Sequence, residues 1–159
     1  MQRQVEWLSD RCAWITRGVV LVTGILLIIN LLVSVFFRYV VGYALSWPEE
    51  LSMLLFTWIV LLTGSLGVKE GFHVRLTVLF SRLPPYGQRM LSGLITALIV
   101  FFGAVLCYSG KEMVSRTLGN ISATIGYPLE LINSAAMVSG ALIVVHGLRL
   151  LLWPTGKGS

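Results

Sequence analysis

Only two imidazoles are available for chemistry, His73 and His146. In an apolar chain such a pair raises bis-histidine haem ligation, which needs both rings on facing elements at matching depth. The simpler reading makes His73 a solvated loop residue or local hydrogen bonder. It makes His146 a polar contact between helices, because no second ligand set or carboxylate cluster accompanies either ring. Carboxylates occur at 6, 10, 49, 50, 70, 112 and 130. A cation-coupled transporter that works alone keeps an acid in the membrane core, and none of these positions falls inside an apolar run. There is no glycine-rich phosphate loop, no Ser/His/Asp set and no Cys-x-x-Cys. Catalytic residues, metal ligands and cofactors are therefore not expected.

Glu49 and Glu50 carry two readings. Ser46 with Glu49 three residues later matches a capping box, and Pro48 fits a first helical turn. Acids at a helix start are also favoured by the helix dipole. One acid suffices for a cap, and two are present. The second reading is recognition, or an ion pair with Arg38 eleven residues earlier. Both readings stay open at this level.

The elements that must position these residues follow from composition. The chain has 159 residues, 56% hydrophobic and 12% charged, against roughly 25% charged in a soluble domain. This excludes a typical soluble enzyme. Apolar runs cover about 18–37, 51–68, 90–110 and 131–152, each of the length a spanning helix needs. None alternates as barrel strands do. The expected fold is an all-α membrane protein: a four-transmembrane-helix bundle forming one domain over 1–159. The segment at about 72–83 mixes apolar and basic residues before Pro84-Pro85 and is expected to lie along the cytoplasmic interface.

The net charge of +5 lacks the basic stripe with interleaved aromatics of a nucleic-acid surface. It orients the chain instead. Arg3, Arg11, Arg17, Lys69, Arg75, Arg82, Arg89, Arg149 and Lys157 fall on one side, and Arg38, Lys111 and Arg116 on the other. That asymmetry predicts two cytoplasmic termini. Trp14, Trp47 and Trp153 sit near span ends as interfacial anchors. Cys12 and Cys107 are then on opposite sides, too far apart to be bridged. The first apolar run is too long for a cleaved signal and is expected to be retained.

Polar residues within the spans are few. Asn30 and Ser34, with Arg38 beyond, share one face of the first helix. Thr57 and Thr63 lie in the second span, Asn133 and Ser139 in the fourth. Asn30, Ser34, Asn133 and His146 are the candidate intramembrane contacts. Small residues recur as Gly93/Ala97, Gly103/Cys107 and Ala136/Gly140. Such pairs pack helices within a chain or against another membrane subunit.

An ordered series then stands out: Arg38-Tyr39, Trp47-Pro48-Glu49-Glu50-Leu51, Trp58, Gly64, Gly71-Phe72-His73-Val74 and Leu83-Pro84. It resembles the small membrane (DctQ-like, or "Q") subunit of tripartite ATP-independent periplasmic (TRAP) transporters. The resemblance covers 38–84 by motif and the whole chain by length and span count. It implies a non-catalytic permease subunit in a bacterial inner membrane. Its partners would be a large membrane subunit carrying the substrate and sodium sites, a periplasmic substrate-binding protein and membrane lipid. Its role would be to brace the fixed part of the large subunit during uptake of an organic acid or acidic sugar. The family's tryptophan–acid motif maps onto Trp47, Glu49 and Glu50, its arginine onto Arg38 and its histidine onto His73. Tyr39, Trp58 and Gly64 complete the candidate interaction residues. Many members carry Asp four residues after the histidine. This chain has Thr77, which puts ion pairing there in doubt. The alternatives are a redox-complex membrane anchor, with His73 and His146 holding haem, and a self-sufficient small exporter. The missing mid-span acid argues against the exporter.

Overall fold

The computed structural model describes residues 2–69 and 85–152. Four helices account for nearly all of it: α1 (Gln2–Phe36), α2 (Trp47–Lys69), α3 (Pro85–Thr117) and α4 (Glu130–Leu152). All four are long and apolar enough to cross a membrane. Backbone groups in lipid must be satisfied within the segment, which is why these runs become helices. Positions 72–83, with the expected interfacial segment and His73, lie outside the described residues.

The helices outrun the apolar runs that signal them. α3 extends from Pro85 to Thr117, well beyond 90–110. Hydropathy stops at the membrane boundary, whereas helical hydrogen bonding continues through polar residues such as Lys111, Glu112 and Arg116. α1 ends in a π-helical turn, Phe37–Val41. Gly42 closes it in the left-handed region (φ 75°), donating its N–H to the Phe37 carbonyl. A residue with a Cβ is disfavoured there.

α4 is the central helix. It packs extensively on α3 and α2, and α1 packs chiefly on α2. Ala135, Ser139, Ile143 and His146 recur at helical spacing and are all buried. The α3–α4 pair is antiparallel and close. A Cβ on Gly140 would stand 2.5 Å from the Cys107 backbone nitrogen, and one on Gly110 2.5 Å from that of Met137. A Cβ on Gly103 would meet the Ile143 side chain at 2.6 Å. Gly103/Cys107 and Ala136/Gly140 thus serve packing within the chain. Without a hydrophobic drive between helices in lipid, such close approach supplies the van der Waals contact that holds them. Gly93 is different: nothing lies within 4 Å of its Cβ position.

Candidate functional site: the polar clamp at the connection end

One end of the bundle carries the 37–46 and 118–129 connections. The opposite end carries the first turns of α1 and the last turn of α4. The connection end gathers the polar side chains of the motif series into a clamp on the start of α2.

Asn30 begins it. The residue is 5% exposed, and its Nδ2 donates to the Pro48 carbonyl at 2.8 Å and to Ser52 Oγ at 2.8 Å. These bonds fix α1 against the first turns of α2. Two turns along α1, Arg38 Nη2 donates to Glu49 Oε1 at 3.0 Å. Both members of this pair are solvent-facing. Glu49 therefore turns to Arg38 rather than back to Ser46, and the ion-pair reading prevails over the capping box for this acid.

Glu50 does something the sequence did not announce. Its carboxylate accepts the backbone N–H of Thr124 at 3.0 Å and of Ile125 at 3.1 Å. Successive N–H groups in a turn form a concave anion-binding nest. Gly126, at φ 77°, gives the turn its shape and donates its N–H to Ser122 Oγ at 3.0 Å. The loop closes through an isolated antiparallel bridge between Ile121 and Pro128. The Ser122 N–H donates to the Tyr127 carbonyl at 2.9 Å, and the Leu129 N–H to that of Asn120 at 2.9 Å. Burial pushes the Tyr127 phenol above its usual pKa, and the nearby Glu50 charge pushes the same way.

The loop is also pinned at its stem. Glu130 Oε1 accepts the Gly119 N–H at 2.9 Å, and Asn133 Nδ2 donates to Thr117 Oγ1 at 2.9 Å. Trp58 Nε1 donates to the Leu131 carbonyl at 3.0 Å, joining α2 to the start of α4. The clamp thus links all four helices at one end.

The remaining motif residues fall around it. Tyr39 is 79% exposed, on the π-helical turn. Trp47 is partly exposed at the start of α2. Gly64 borders an apolar groove between α2 and α3, whose lining includes Val60, Leu98, Phe102 and Ile143. The Cβ position of Gly64 is open. Ser34 is half-buried on α1. His146 lies at the other end, fully buried on α4, and so does not join the clamp. Among the described residues, no group of three His, Cys, Asp or Glu side chains could hold a metal ion.

The family model for the DctQ component of tripartite ATP-independent periplasmic transporters matches residues 26–153. The chain belongs to the DctQ family. A TRAP transporter small permease protein of Haemophilus influenzae is 32% identical over 127 residues, covering 78% of each chain. The ectoine TRAP transporter small permease protein TeaB of Halomonas elongata is 27% identical over 121 residues, covering 73% of this chain and 62% of the relative. The DctQ match takes in Asn30, the clamp, the 118–129 loop and α4. This DctQ protein is a multi-pass membrane protein and a subunit of a TRAP transporter.

Sequence reasoning found Arg38, Glu49 and Asn30. It missed the loop that Glu50 holds, because the partners there are backbone amides of ordinary residues. The one available signal was a pair of glycines, Gly119 and Gly126, bracketing the turn; both have positive φ.

Proposed function

We propose that the chain is a non-catalytic scaffold of its transporter, bracing a large membrane subunit that carries the substrate and sodium sites. The observation that supports this most is where its acids sit. Among the acids whose side chains are described, Asp10, Glu49, Glu50, Glu112 and Glu130 all lie at or near the ends of the membrane-spanning stretches. Each is engaged within the chain: with Lys69, Arg38, the Thr124–Ile125 amides, Arg116 and the Gly119 amide respectively. Carboxylates committed in this way make a stiff frame and are poorly placed to accompany an ion across the bilayer.

In this reading the connection end faces the periplasm and both termini face the cytoplasm of a bacterial inner membrane, as the distribution of basic residues suggests. A periplasmic binding protein delivers an organic acid or acidic sugar. The rigid clamp, with Tyr39 and Trp47 beside it, offers that protein a docking platform. The open Gly64 and Gly93 positions leave small-residue faces for the large subunit and for lipid.

Co-expression with a large TRAP membrane subunit, followed by affinity purification through this chain, tests the proposal. A stable complex, and loss of organic-acid uptake on deletion of this chain, are expected. A chain that purifies alone, with uptake intact after its deletion, overturns it.

A further inference from the structure

At the terminal end three helices bring their charges to one point. Asp10 opens the apolar stretch of α1, Lys69 closes that of α2, and Arg149 lies one residue from the end of that of α4. Stretches of 21 and 23 residues in α4 and α2 rise about 32–35 Å at 1.5 Å per residue. Their ends therefore reach the headgroup level of a bilayer whose core is about 30 Å thick.

Lys69 Nζ lies 2.8 Å from Asp10 Oδ1, and Arg149 Nη1 lies 3.5 Å from the same oxygen. Two cations thus share one carboxylate oxygen. Arg149 is held loosely. Its long contact with Asp10 uses one of the five N–H groups of a guanidinium. Its side chain is only 25% exposed, and that of Lys69 15%, whereas that of Asp10 is 62% exposed. The cations are therefore set into the wall between helices, and the anion stands outside them.

We infer that this junction of α1, α2 and α4 is a binding site for the phosphate of an anionic phospholipid, gripped by Arg149 and Lys69. A guanidinium fork suits a phosphate diester, and basic recesses between spanning helices at headgroup depth are where such lipids are recognised. Asp10 is the competitor: it occupies the cations when lipid is absent and swings away when lipid binds. The inference rests on the membrane-spanning fold and is independent of the scaffolding proposal.

The test uses the full chain, purified in detergent and stripped of lipid. It is titrated with phosphatidylglycerol, with phosphatidylcholine and with inorganic phosphate, and bound lipid is counted by native mass spectrometry. Phosphatidylglycerol should bind in preference to phosphatidylcholine, which has the same phosphate diester without the net charge. Inorganic phosphate should not displace it. Arg149→Gln should weaken phosphatidylglycerol binding about fivefold, the attraction expected of one basic residue near an anionic surface. Asp10→Asn should strengthen it, and this variant decides the matter if Arg149→Gln fails to fold. An ion pair that serves stability alone predicts instead that Asp10→Asn lowers the melting temperature and leaves lipid binding unchanged. That result overturns the inference. So does equal binding of the two lipids, or displacement by free phosphate. Lipid binding unaltered in Arg149→Gln, with co-purification of the large subunit lost, assigns the junction to a protein contact and overturns it as well.

Discussion

The Glu50 carboxylate accepts the Thr124 backbone N–H at 3.0 Å across 74 positions of sequence. One side chain at the start of α2 thereby ties the tip of the 118–129 connection to that helix. Glu50→Gln keeps the shape of the side chain and removes its charge, and an amide cannot offer two equivalent acceptor oxygens to adjacent N–H groups. Hydrogen exchange at Thr124 and Ile125 should therefore quicken in this variant. Exchange within α2 should stay as it is. Protection unchanged at both loop amides would mean that the loop holds itself.

Arg38 and Glu49 are a different kind of pair. Their 3.0 Å contact is solvent-facing on both sides, and exposed pairs contribute roughly 0–1 kcal/mol. A double-mutant cycle with Arg38→Ala and Glu49→Ala should give a coupling below ~1 kcal/mol in thermal unfolding of the isolated chain. Arg38→Ala should nevertheless lower the yield of transporter complex while membrane insertion stays normal. Wild-type complex yield would remove the partner role of Arg38.

These two acids show what the sequence could and could not reveal. Four apolar runs of spanning length made the helices legible, because lipid permits so few solutions to backbone satisfaction. Arg38 and Glu49 were legible because a short connection brings the end of α1 to the start of α2. Glu50 was not, because its partners are main-chain amides whose identity leaves no mark on the sequence. Nor was the junction of Asp10 with Arg149, 139 positions apart, since both read simply as charges flanking a span. The helix ends were blurred for a related reason: hydropathy reports the membrane boundary and says little about where a helix stops.

Asn30 offers a direct measure of the α1–α2 contact. It is buried and donates to both the Pro48 carbonyl and Ser52 Oγ. Interhelical hydrogen bonds in membranes are worth roughly 0.6–2 kcal/mol. Asn30→Leu should destabilise the chain by about that amount in denaturant titration. Ser52→Ala, which removes one of the two acceptors, should cost less. Equal effects from both variants would place the value of the site in Ser52 rather than in the bond to α2's backbone.

The glycines separate packing inside the chain from packing against something else. A Cβ on Gly140 meets the Cys107 nitrogen at 2.5 Å and the Gly103 oxygen at 2.8 Å. Both are backbone atoms, so relief requires the helices to part. Overpacking of this kind costs about 1–3 kcal/mol, more than the ~1 kcal/mol that alanine gains over glycine in a helix. Gly140→Ala should therefore lower the melting temperature of the isolated chain. Gly64→Ala has no such obstacle, since nothing lies within 4 Å of its Cβ position, and helix propensity alone should leave that chain as stable or slightly more so. If Gly64 lies against the large subunit, the same substitution should reduce co-purification. A Gly64→Ala chain that is stable and assembles fully would show that this face of α2 meets lipid.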